Sequence, residues 1–129
     1  MEQLTKIHKK LVKETELSFF RYLYHEIDWG NRIVGIRGPR GVGKTTLMLQ
    51  HIKNDLNIND VLYINADDIY FSEHRILDLA ERLVQRGIQY LFIDEIHKYK
   101  DWSKELKLIY DYYSEFKDRI FRFFYFRYK

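Results

Sequence analysis

The chain has 129 residues, 46% of them hydrophobic, a length and apolar content that exclude general disorder and fit one domain. It has no cysteine, which excludes a disulfide framework, a zinc–thiolate site and a cysteine nucleophile. The net charge of +3 comes from residues 117–129, where Lys117, Arg119, Arg122, Arg127 and Lys129 stand against Asp118 alone; setting these aside leaves 17 of the 22 basic and 18 of the 19 acidic groups in the body, so no basic nucleic-acid stripe is indicated there.

In chain order, residues 3–27 space their apolar side chains as helix does: Leu4, Ile7, Leu11 and Val12, then Phe20, Leu23, Tyr24 and Ile27, with a weak point near Glu14 to Ser18. Trp29-Gly30-Asn31 interrupts the pattern. Arg32 to Arg37 is β-prone and leads into a glycine-rich loop, and Thr45 to Lys53 reads as a helix with Leu47, Met48 and Ile52 on one side. Val61 to Asn65 is a second short strand, closed by Ala66-Asp67-Asp68. Ile76, Leu79, Ala80, Leu83 and Val84 mark a helix that Gly87 stops. Tyr90 to Asp94 is a continuous apolar run, as expected of a parallel strand covered on both faces. Asp101 is a candidate N-cap for a helix with Trp102, Leu106, Ile109, Tyr110 and Tyr113 on its buried stripe. Strands alternating with helices predict an α/β fold with a parallel sheet. No apolar run approaches the roughly 20 residues of a membrane helix, and the opening Met1 to Lys6 does not read as a secretory leader; a cytoplasmic protein with no membrane partner is expected.

The chemistry is concentrated in two segments. Gly38-Pro39-Arg40-Gly41-Val42-Gly43-Lys44-Thr45 is a phosphate-binding loop pattern, set between a strand and a helix. Its glycines let the backbone approach a ligand so that successive N–H groups converge on phosphate oxygens. The helix that follows, with Thr46 in its first turn, adds its N-terminal dipole. Lys44 would reach the β- and γ-phosphates and the Thr45 hydroxyl would coordinate Mg²⁺, while Arg40 and Val42 are the variable loop positions. Asp94 and Glu95 close an apolar strand, where an open α/β sheet gathers its ligands. Asp94 is the expected Mg²⁺ ligand and Glu95 the residue that deprotonates an attacking water. Asp67 and Asp68 read as turn or cap residues and His97 as a solvated loop histidine; contact with the nucleotide is the alternative for each.

From about Phe20 to Glu115 the chain resembles the bacterial and archaeal AAA-type ATPases in which an N-terminal ATPase domain precedes a C-terminal domain of poorly understood function. The resemblance rests on Glu26-Ile27-Asp28-Trp29, the strand and loop Arg32 to Leu47, Tyr63 to Asp68, and Leu91 to Trp102 with its Walker B-like Asp-Glu pair. It implies a P-loop NTPase three-layer αβα fold, ATP and Mg²⁺ as ligands, and Lys44, Thr45, Asp94 and Glu95 in the roles just given. Homo-oligomerisation is open; the protein partner is unassigned and nucleic acid unsupported. The parts are a helical segment at 1–28, a partial ATPase core at 29–116 and an aromatic, basic tail at 117–129.

The tail departs from the family pattern. A fourth strand ending in a small polar residue that senses the γ-phosphate should lie between the loop strand and the Asp94 strand, followed by an arginine finger and a helical lid. Asp118 to Lys129 instead supplies six aromatics in residues 121–129. Back-translated with suitable codons and read one nucleotide later, Ile120 to Tyr128 spells Phe-Ser-Gly-Ser-Ser-Ile-Leu-Asp. A frame-shifted, truncated N-terminal fragment is therefore expected, with a fold incomplete at the C-terminus, marginal stability and ATP binding without appreciable turnover. If the β-prone tail itself took the slot, Arg122 would enter a strand expected to be apolar, at a desolvation cost. A nucleotide-gated binding module is the alternative function; a P-loop kinase is disfavoured by the Asp-Glu pair.

Overall fold

The structure, a computed structural model, describes residues 1–38, 43–113, 115–116 and 119–128. The N-terminal region forms helices α1 (Glu2–Glu14) and α2 (Tyr22–Glu26), parting where the apolar spacing lapses. Strand β1 (Ile33–Gly38) leads to the loop and helix α3 (Lys44–Asp55) follows it. Strand β2 (Val61–Asn65), helix α4 (Ile76–Gln85), strand β3 (Tyr90–Asp94) and helix α5 (Trp102–Tyr113) continue the alternation. Gly87 ends α4 at a φ of 82°, a left-handed conformation in which a side chain would be strained. A short antiparallel pair, β4 (Glu115–Phe116) and β5 (Arg119–Ile120), precedes the last strand, β6 (Arg122–Tyr128).

The main sheet has the order β1-β6-β3-β2, and every pairing in it is parallel. The tail therefore runs up the middle of the sheet, in the slot for which the sequence offered no family-like strand. Phe123, Phe124 and Phe126 are fully buried there, because alternate side chains of a central strand enter both covering layers. On one face Phe124 and Phe126 join Val61, Tyr63 and Phe92 beneath Leu47, Met48 and Ile52 of α3. On the other, Phe123 joins Leu62, Ile64, Leu91 and Ile93 beneath α4 and Leu106 and Ile109 of α5. The result is a three-layer α/β/α fold.

The desolvation cost expected of Arg122 does not arise. The residue opens β6 at the lower rim of the sheet, and its Nε donates to the carbonyl of Gly30 at 3.1 Å, so the charged end leaves the core. Tyr110 is a second correction: it is 40% exposed rather than in the core. Leu106 and Ile109 set the phase of α5, and with about 100° per residue Tyr113 and Trp102 fall near their stripe while Tyr110 falls off it. Asp101 precedes α5 with φ 61°, and its carbonyl accepts from the N–H groups of Lys104 and Glu105.

Helix α1 covers the outer edge of β2. His8, almost wholly buried, accepts the Tyr63 N–H through Nδ1 at 3.1 Å and directs Nε2 to the carbonyl of Ile58 at 3.3 Å. A backbone donor that an edge strand would leave exposed is thereby satisfied. Burial lowers the pKa of His8, and the two partners assign it the neutral Nε2–H tautomer.

Candidate functional site

Gly38 closes β1, and Gly43 precedes α3 with φ 79°. Pro39, Arg40, Gly41 and Val42 lie outside the described residues. Lys44 opens α3, and its Nζ donates to the carbonyl of Gly38 at 3.1 Å, which holds the ammonium at the end of β1. Thr45 and Thr46 lie in the first helical turn, where backbone N–H groups have no partner within the helix. The third loop glycine also has a neighbour that sequence reasoning missed. A Cβ on Gly43 would lie 2.6 Å from Nε of Arg21, so this guanidinium from the start of α2 rests against the loop.

Asp94 ends β3 with 3% exposure, deep for a carboxylate. Its Oδ2 accepts from the Thr45 hydroxyl, which joins the end of β3 to the first turn of α3 across 49 residues. The same Oδ2 accepts from the Tyr63 hydroxyl at 2.7 Å, and Oδ1 accepts from the Glu95 N–H at 3.0 Å. Burial, and then the Asp94 charge, push the Tyr63 phenol well above its ordinary pKa, so it stays a donor. Tyr63 was not singled out in the sequence. Its register partner is Phe92, two residues before Asp94, and the period of two puts these side chains on one face.

Glu95 takes a left-handed backbone conformation, φ 55°, which is unusual for a residue with a side chain and turns the chain sharply off the strand. Its side chain is 32% exposed, and Oε2 lies 3.5 Å from Nε2 of His97. His97 is half-buried against that carboxylate rather than solvated, because the 3-10 turn Ile96–Lys98 folds it back beside Glu95. Asp68 caps the 3-10 turn Ile69–Ser72 by accepting the Tyr70 N–H at 2.9 Å. Asp67 lies 3.8 Å from Nζ of Lys98. A separate cavity of about 300 Å³ between α1 and the end of β2 is lined by Leu4, Ile7, Leu11, Asn65 and Asp67 among others. Lys44, Thr45, Asp94 and Glu95 do not line it.

Thus the C-terminal ends of β1 and β3 meet the start of α3, where Lys44 reaches the Gly38 carbonyl and the Thr45 hydroxyl reaches Asp94, with Glu95 next in the chain. This is a parallel α/β fold of the P-loop NTPase type, with its polar groups gathered at the strand ends. The sequence matches the AAA domain family over residues 30–122, most of the chain, and the protein belongs to that nucleotide-binding family. Among solved structures it is similar to PCH-2 of C. elegans, with a TM-score of 0.50 and 15% identity. That match covers 97% of this chain and 36% of PCH-2, so the chain spans little more than a third of its length. No curated protein matches the sequence.

Proposed function

We propose that the chain binds ATP with Mg²⁺ at this edge, and that Glu95 is the base for the hydrolysis that its family implies. The observation that carries the reading is the Thr45–Asp94 hydrogen bond beside Lys44. A hydroxyl and a buried carboxylate are hard oxygen donors of the kind Mg²⁺ selects, and the first turn of α3 adds N–H groups and a helix dipole suited to phosphate. Thr45 and Asp94 would hold the ion, which when bound neutralises phosphate charge. Lys44 binds the β- and γ-phosphates, and Gly38 to Thr46 form their cradle. Glu95 takes a proton from the water whose oxygen attacks the γ-phosphorus, as the bond from that phosphorus to the bridging oxygen breaks and ADP leaves. Self-assembly of the chain belongs to the same proposal.

A second reading, nucleotide-gated binding without significant hydrolysis, is favoured by one feature. Toward its end β6 carries Phe126, Arg127 and Tyr128, where the family resemblance calls for a small polar residue to sense the γ-phosphate. Calorimetry and a phosphate-release assay test both. Lys44→Ala removes a cation from among the phosphates and should weaken ATP binding at least tenfold, about 1.4 kcal/mol; equal affinities would refute the site. Glu95→Gln should keep ATP and lose turnover. Binding by the parent without turnover selects the second reading, and undiminished turnover in Glu95→Gln reassigns the base.

A further inference from the structure

Of the three groups that reach the Asp94 carboxylate, one has no place in the function just proposed. Tyr63 spends a buried phenol on Oδ2, the oxygen that Thr45 also addresses. Its ring is packed in the cluster with Met48, Phe92 and Phe124 and is 3% exposed, so the hydroxyl has little freedom to turn elsewhere. The backbone of the same residue is held from the other side, where His8 of α1 accepts its N–H at 3.1 Å. Asp94, by contrast, has a single-residue reach from the end of its strand, and χ1 and χ2 rotation would move its oxygens away from Thr45.

We infer that Tyr63 is a positioning residue for the metal site: its hydroxyl locks the Asp94 carboxylate in the rotamer that faces Thr45, and α1 holds Tyr63 in register through His8. The inference deepens the proposed Mg²⁺-dependent nucleotide binding and rests on that reading. A carboxylate held by three donors before any ligand arrives has less orientational entropy to lose on binding. The phenol also satisfies part of the demand of a buried charge without competing as a cation would.

Tyr63→Phe removes the hydroxyl and keeps the ring. ATP affinity is measured by calorimetry for the parent, Tyr63→Phe, Asp94→Asn and the double variant, in Mg²⁺ and in chelator, with thermal melts alongside. The ratio of the affinity with Mg²⁺ to that without should fall about tenfold in Tyr63→Phe, the loss expected for one hydrogen bond to a charged group. In the Asp94→Asn background the same change should have no further effect on the ratio, because the hydroxyl acts through that carboxylate. An unchanged ratio, with both affinities lowered together or neither lowered, overturns the inference. A second measurement needs no nucleotide. The Tyr63 hydroxyl proton should be a slowly exchanging resonance that shifts in Asp94→Asn; its absence, or indifference to Asp94, also refutes the positioning role. A parent that binds no ATP while showing that resonance refutes the nucleotide site and leaves the hydroxyl–carboxylate lock standing.

Discussion

Phe124 is the residue on which the placement of the tail can be weighed. It is wholly buried in β6, its ring is stacked on Phe92 at 4.4 Å and 15°, and Trp29 lies 5.7 Å away. Phe124→Ala removes the ring from the layer under α3, where fixed strands on both sides prevent the space from closing. Core truncations of this kind cost about 3–5 kcal/mol, with the lost stacking contributing toward the upper end. For a domain of this size that is roughly 11–18 °C in Tm, from the usual unfolding entropy per residue. In urea the midpoint should fall by about 2 M with an unchanged slope. Were the tail outside the sheet, Phe124 would be a solvated side chain and its loss worth about 0.5 kcal/mol or less. Tyr112→Ala, at a position 66% exposed, serves as the control for that smaller value. If Phe124→Ala does not fold, Phe124→Leu at about 1.5 kcal/mol keeps the measurement within range. A loss below about 1 kcal/mol for Phe124→Ala, equal to the control, refutes β6 as the central strand.

Two further outcomes follow from packing and from the buried histidines. A Cβ on Gly35 of β1 would enter the ring of Tyr125, its register partner on β6, whose own ring lies 5.6 Å from Trp102; Gly35→Ala should cost about 1–3 kcal/mol, and a neutral result in a urea titration would mean that Tyr125 does not cover that glycine. His8 and His51 are both lowered below the ordinary value of 6.5, in each case by burial first; for His51 the adjacent Asp55 opposes the shift. Lowered folded pKa values mean that the unfolded chain binds more protons, so stability is fully present above about pH 6.5 and is lost as pH falls from there through the folded values. Denaturation midpoints should drop on acidification from about pH 8 to about pH 5. His8→Gln should flatten part of that slope, and an equally steep profile would exclude His8 as a contributor.

The sequence by itself determined the local features. Glycines at 38, 41 and 43, the apolar run Tyr90 to Asp94 and the helical stripes of α3 and α4 are all short-range patterns, and secondary structure and loop type follow from such patterns. The candidates Lys44, Thr45, Asp94 and Glu95 were legible for the same reason. What required the tertiary structure was the strand order and everything that follows from it. Pairing between parallel strands is non-local, so nothing within residues 122–128 says which neighbours they will take, and an arginine at the first position looks costly until the rim beside Gly30 is known. Tyr63 was illegible on the same ground: its residue type suits any buried strand position, and only the register of β2 on β3 places its hydroxyl on Asp94. The sharing of Asp94 Oδ2 by Thr45 and Tyr63, from two different elements, is a property of the packed sheet and helix, because it exists only once three segments distant in the chain have closed on one face.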